Sequence, residues 1–570
     1  KKLGGMFMDK RTILAIVLSL AVLLVYQIFF VKPPVPQKGA SSQTPAGQIQ
    51  QDKAAAPSPA AALTKAPAAP APKAAAGPLT PPRDITVETD HYTAVFSTRG
   101  AALKSLKLKG YYRDCHECTE DIWPKIKGLV TGQKASPKPK TPEFVELVDV
   151  REGMPYPLAV TFPESGVDVA PDEVFDAAGN RMDLTGTQQK QQLVFSRSQG
   201  GVKIEKIYSF DPSGYTLGLD VKVHNLTGAP ITQIPQLNWY QYVDPQKIDD
   251  SYGHEGPIVS VGGSIELEEV KKLQSQSVQG PNVLWGAFES KYFIASFIPE
   301  NPSLTNAVLT RDAANMVGVG MKGRKEIIPG GQNSVFSYSL YLGPKQYDLL
   351  KNLGVGLENA IDFGWFKWLA IPALYILNFL YGFVLNYGIA IIILTTIIKI
   401  VFWPLGNMSY KSMNEMKKLQ PKIEALKQKY KNDQTKIGQE TMALYREHKV
   451  NPFSGCLPIL IQIPVFFGLY KALMYSIELR HSPFFFWIQD LSAKDPYYIT
   501  PIIMGATQFI TQKMTPAMGD PTQQKIMLFM PVIFTFFFLN FPSGLVIYWL
   551  WNNILQIGQQ YYINKKLATG

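Results

Sequence analysis

The chain has 570 residues, is 46% hydrophobic and carries a formal charge of +11 at pH 7. Its apolar residues gather into runs rather than spreading evenly, which excludes a single soluble globular domain and reads as a multi-span membrane protein with one large soluble part. The sequence begins at Lys1, whereas Met8-Asp9-Lys10-Arg11 looks like a natural start, so residues 1–7 carry no functional reading.

Residues 1–11 read as a cytoplasmic N-terminus. Lys10 and Arg11 precede residues 12–31, an uncharged run of twenty that is long enough to span. Phe29, Phe30 and Val31 close it in place of the small residues of a cleavage site, so an uncleaved anchor is expected, with the following residues outside. Over residues 32–82 an extended tether follows: 27 of the 50 residues from 33 to 82 are Ala or Pro, too little apolar surface to offset the entropy of ordering.

From residue 83 to 345 the texture becomes period two. Ile85 and Val87, then Tyr92, Ala94 and Phe96, alternate with polar neighbours between Gly and Pro breaks, which predicts a large β-sandwich. Its only local cluster of reactive side chains is Cys115-His116-Glu117-Cys118. A disulfide, a redox pair and half of a metal site all remain open for it, with a structural disulfide the simplest. Glu205, Asp220 and Asp244 have no spacing that pairs them and read as solvated strand faces.

Residues 346–386 predict connecting and interfacial amphipathic helices, the aromatic-rich stretch 363–384 lying on the outer surface. Residues 387–404 then form the second span, and Lys399 stands inside it. A charge at the bilayer centre costs roughly 2.5 to 3.5 kcal/mol on insertion scales, so either a wet cavity receives it or its stem snorkels toward the headgroups past Pro404.

Ten Lys or Arg against five acids between 407 and 451 mark residues 405–456 as cytoplasmic. Met413, Met416, Leu419, Ile423, Leu426 and Tyr430 recur every three to four residues; after Asn432-Asp433 the spacing returns at Ile437, Thr441 and Leu444. Two antiparallel helices are predicted. They read either as a small coiled-coil hairpin with solvated lysines or as a docking arm whose Met413 and Met416 stripe and basic face (Lys417, Lys418, Lys422, Lys427) meet a partner.

The remaining spans are placed at 457–474, 498–510, 526–541 and 545–562. Residues 475–497 form an outer loop, 511–525 an inner loop and 563–570 an inner tail, so both termini lie in the cytoplasm. Short, proline-broken spans thin the bilayer around them. Thr395 lies one turn before Lys399, while Tyr548, Asn552, Gln556 and Gln559 recur at four, four and three. With Gln462 they line a hydrated groove or, alternatively, hold the bundle together by helix-to-helix hydrogen bonds.

The stretch from Gly388 onward resembles the YidC/Oxa/Alb family of membrane protein insertases, through LQPKIEALKQKY, ALYREHKVNPFSGCLPILIQIPVF, DLSAKDPYYITPIIMG and QQKIMLFMPVIFTFFFLNFPSGLVIYW. The tethered β-rich domain and the anchor resemble the Gram-negative form. The resemblance implies a bacterial inner-membrane protein of six transmembrane helices, a five-helix insertase core, a periplasmic β-sandwich and a cytoplasmic hairpin. It also implies insertion and folding of nascent membrane proteins, alone or with the Sec translocon, and no nucleotide hydrolysis or cofactor; on the docking reading, the hairpin meets a ribosome, a targeting receptor such as the signal recognition particle receptor, or an emerging apolar segment. Where the family carries an embedded Arg, this chain has Lys399; Thr395, Gln462 and Asn553 match the family's polar span positions. No Walker loop or metal-ligand cluster appears, and no sequence-specific nucleic-acid binding is expected. The competing readings are a transporter binding an anion at Lys399, which lacks the internal repeat such folds show, and a membrane-anchored carbohydrate-active enzyme, for which no converging carboxylates are spaced.

Overall fold

The computed structural model describes residues 81–115, 142–167, 169–244, 254–273, 276–431, 433–448, 457–515 and 521–569, with Gln246 and Val450 besides. The predicted N-terminal anchor, most of the tether, His116 to Cys118 and residues 451–456 lie outside the described residues.

Strands run from Asp84–Glu88 to Asn333–Pro344. Nine form one antiparallel sheet, at whose centre Asn333–Pro344 pairs with both Phe293–Pro299 and Thr216–Asn225. Two five-stranded sheets and a two-stranded ribbon accompany it. Thr216–Asn225 shows why the segment is a strand: Leu217, Leu219, Val221 and Val223 are buried while Asp220 and Lys222 point outward, the period-two pattern of a sheet with one dry face. Side chains from all three large sheets, among them Phe96, Phe210 and Trp239, share one core.

Inside that core lies a lysine. Lys206 is 0% exposed, and its Nζ donates to the carbonyls of Gly100 at 3.1 Å, Ala101 at 2.6 Å and Leu158 at 2.6 Å. Three acceptors match the three N–H groups of an ammonium, while burial pushes its pKa well below the usual lysine value.

The domain hands over to helices at Lys345, which forms a buried ion pair with Glu289 at 2.7 Å. Nine helices follow among the described residues: α1 (Tyr347–Asn352), α2 (Lys367–Val384), α3 (Tyr387–Val401), α4 (Trp403–Lys429), α5 (Gln434–Glu447), α6 (Leu457–Tyr475), α7 (Ile499–Met514), α8 (Pro521–Phe538) and α9 (Ser543–Thr569). Leu350, Leu357 and Phe363 pack between Trp285 and Ile294 of the sheet and Leu374 of α2, so one apolar cluster joins strands to helices. A second joint is polar: Arg480, in the loop between α6 and α7, donates to the carbonyls of Tyr112 at 2.6 Å and Arg113 at 3.0 Å.

By length and composition the segment Gly364–Val384 could cross a membrane on its own, where the sequence reading lays it on the surface; α3 and α4, bent by 60°, form a second such unit. Helix α9 runs seven residues past the predicted end of the last span. Its extension has a packing reason, since Ile563 is buried against Met413 and Met416 of α4.

Candidate functional site

Helix α3 begins at Asn386, whose side chain accepts from the backbone N–H of Ile389 at 3.1 Å. Its Ala390, Ile391 and Leu394 face the bundle core, while Ile397, Ile400 and Val401 are exposed. Lys399 occupies the last turn, where a cation is favoured by the helix dipole. It is half-buried, and among the described residues no hydrogen bond or ion pair reaches its ammonium. The neighbouring hydroxyls are already engaged. Thr395 donates to Ile391 O at 2.6 Å within its own helix; Thr396 donates to Ile392 O at 2.8 Å and accepts from Trp551 Nε1 of α9 at 2.9 Å. Thr396, rather than Thr395, therefore makes the hydroxyl link to another helix.

The polar residues of α9 divide among three neighbours. Asn552 accepts from Gln462 of α6 at 3.1 Å, and the same amide lies beside the Tyr548 phenol. Asn553 turns to α7, donating to Thr507 Oγ1 at 3.3 Å and Met504 O at 3.4 Å. Gln559, only 2% exposed, donates to Trp403 O and Asn407 Oδ1 of α4, both at 3.1 Å, and Gln556 approaches Tyr410. Two glycines permit the close approaches. A Cβ on Gly406 would run into the Gln559 amide, and one on Gly505 of α7 would run into Thr535 of α8. Sequence spacing groups Gln462, Tyr548, Asn552, Gln556 and Gln559, and the family resemblance adds Asn553; of these, Asn553 and Gln559 are buried and bond from helix to helix, the alternative reading of the polar stripe. Gln560, which spacing did not single out, is buried with no partner for its amide among the described residues.

The segment α4 and α5 starts at the 60° bend after Lys399. Asp433 caps α5 by accepting from Lys436 N at 2.9 Å. Met413 and Met416 are buried, with Tyr445 and Val450 completing their surroundings, so they are not an open stripe. Lys417, Lys418, Lys422 and Lys427 are exposed; Lys418 pairs with Glu415 at 3.1 Å, and Lys422 lies 3.1 Å from His448 Nε2. Between the helices lies a cavity of about 550 Å³, walled by Leu426 and Leu444 and rimmed by Lys422, Lys429, Glu440 and Glu447.

In the β-domain Glu205, Asp220 and Asp244 do not meet one another. Glu205 bonds Lys203 at 2.7 Å and His224 at 3.0 Å, Asp220 accepts from Ser337 at 2.7 Å, and Asp244 accepts from Gln246 N at 3.1 Å. Lys203 and His224 together hold the Glu205 carboxyl below its usual range. Cys115 is disulfide-bonded, and its Sγ lies 4.0 Å from the Gln489 carbonyl of the α6–α7 loop. Among the described residues no group of three or more His, Cys, Asp or Glu is placed to hold a metal ion.

Residues 379–569 match the family described as 60Kd inner membrane protein, and residues 131–376 match the YidC periplasmic domain. The chain is 56% identical over 577 residues to a membrane protein insertase YidC from Syntrophus aciditrophicus, covering 98% of this chain and 100% of that one. A second YidC, from a Geobacter species, is 45% identical over 85% of this chain and 86% of its own length. Among solved structures, an active YidC insertase with its first transmembrane domain resolved aligns at 21% identity and a TM-score of 0.36, over 84% of this chain and 92% of that one.

Proposed function

The chain belongs to the family of YidC membrane protein insertases, and from that premise we propose how its residues perform insertion. It is an inner-membrane protein with a periplasmic domain and acts on nascent membrane proteins. We place both termini and the α4–α5 hairpin in the cytoplasm and assign six spans, the first over residues 12–31. The exposed lysines of the hairpin receive the client, a ribosome or a signal recognition particle receptor, and the Sec translocon cooperates on some clients.

The observation that carries the mechanism is Lys399: half-buried at the end of an apolar helix, with no partner among the described residues. A client's short acidic leading tail enters beside it, near Gln462, Tyr548 and Asn552. At an effective dielectric of 20 the attraction is about 4 kcal/mol at 4 Å before desolvation. The client's apolar segment then moves into lipid along α6 and α8, whose Phe536 and Phe537 are exposed. On reaching the positive side the tail gains about 2.3 kcal/mol per charge per 100 mV. No bond is made or broken in this sequence of steps, so insertion proceeds without catalysis.

The test is insertion of a small single-span client with an acidic leading tail, in cells depleted of their own insertase. Lys399→Ala abolishes insertion and Lys399→Arg restores it; full activity of the Ala variant refutes the electrostatic step.

A further inference from the structure

Residues 482–489, the tip of the loop between α6 and α7, read SPFFFWIQ and contain no charge. Phe485 is 49% exposed and Phe486 85% exposed. Such exposure in a loop ordinarily goes with a slack backbone, but this one is tied by repeated hydrogen bonds. Phe484 N donates to Ile488 O at 2.9 Å, Ile488 N to Phe485 O at 3.2 Å, and Gln489 Nε2 to Phe486 O at 2.8 Å. Trp487 Nε1 donates to the buried Asp495 at 3.0 Å, and the other oxygen of that carboxylate caps the start of α7 through Thr500 N at 2.7 Å. Phe486 itself has φ +55°, a left-handed conformation that a bulky side chain adopts only at a steric cost. The fold therefore holds this ring outward against both solvation and backbone preference.

A second segment meets the tip. Asn386 Nδ2 donates to Phe484 O at 3.2 Å, and the Phe484 ring fills the space above Gly388, so the tip is fastened to the turn joining α2 to α3. The last turn of α2 presents Phe383 and the turn itself Leu385, 72% and 75% exposed, and Phe379 continues the apolar stripe one turn back along α2. Two stretches a hundred residues apart thus place exposed aromatic and aliphatic side chains at the start of α3. Contiguous exposed apolar surface marks a contact site, and aromatic rings favour the boundary between acyl chains and headgroups.

We infer that Phe485 and Phe486, with Phe383 and Leu385, form a lipid-seated tip that inserts into the outer leaflet and fixes the depth of α3. The occupant is lipid because the patch is continuous with α2 and adjoins the first turn of a helix that the proposed topology sets in the bilayer. The inference rests on that topology.

The test uses the full-length chain in phosphatidylethanolamine–phosphatidylglycerol vesicles, with a diazirine-bearing phenylalanine analogue in place of Phe486, of Ile400 on α3, or of the exposed Ile327 in the β-domain. After irradiation, phospholipid adducts are expected at positions 486 and 400 and absent at 327. An adduct at 400 without one at 486 overturns the tip and leaves the topology standing. Lipid adducts at neither position overturn both. A protein adduct at 486, to another chain or a second copy, replaces lipid as the occupant and refutes the inference.

Discussion

Lys206 and Lys399, one in each half of the molecule, are both drawn out of water, and their surroundings are opposite. Lys206 in the β-domain spends its three N–H groups on three carbonyls, whereas the ammonium of Lys399 in the helical half meets no partner among the described residues. A buried polar group is costly unless satisfied. The first lysine is thus a structural pin, drawing two loops onto a strand, and the second is the one that the proposed mechanism uses to meet a client. The contrast belongs to the two lysines and not to their halves at large: Gln233 in the β-domain and Gln560 in the helical half each bury an amide with no partner among the described residues.

The comparison is sharpened most by exchanging what each lysine does. Lys399→Ala is expected to remove insertion of acidic-tailed clients, with the interaction bounded at about 4 kcal/mol, while leaving hydrogen exchange in the β-domain unchanged. Lys206→Met is the converse: three carbonyls lose their donor, and exchange across Val202–Phe210 reports a loss of about 3 kcal/mol. Equal effects of the two substitutions on insertion at matched folded yield would break the distinction. The protonation of Lys206 gives a finer probe. Burial lowers its value below 10.5, so in the window between its folded value and 10.5 the unfolded chain binds more protons and stability rises with pH. The slope approaches about 1.4 kcal/mol per pH unit at most and disappears in Lys206→Met. The smallest effect is expected from Gln559→Leu, which removes the tie to Trp403 and Asn407 at a cost of about 1 kcal/mol. Exchange over residues 403–416 should then quicken, with insertion reduced less than by Lys399→Ala.

Local periodicity made much of this architecture legible. The alternation around Leu217 to Val223 and the three-to-four spacing around Met413 are both visible as burial patterns, because each depends only on which face of one element is dry. Lys206 was not legible, since a lysine in an alternating strand ordinarily points outward and its carbonyl acceptors come from loops at Gly100 and Leu158. The fates of Asn553 and Gln559 were hidden for a related reason: spacing shows that they lie on polar faces of one helix but not which helix each face meets. The packing that holds the polar end of α9 was not legible, because the contact of Ile563 with Met413 and Met416 joins residues about 150 apart in the chain. The aromatic tip at Phe485 and Phe486 was too short a run to stand out between polar flanks.

Helix α9 begins where Ser543 N donates to Ala493 O at 2.7 Å, in the loop that Asp495 braces, and its far end is gripped by Met413 and Met416. Its 27 residues make a rod about 40 Å long. In mechanical terms it is a lever with a fulcrum at the polar ties of Asn552 and Asn553. A tilt of about 5° about that fulcrum would displace the far end, about 25 Å away, by about 2 Å, enough to strain or break a hydrogen bond at the base of α4.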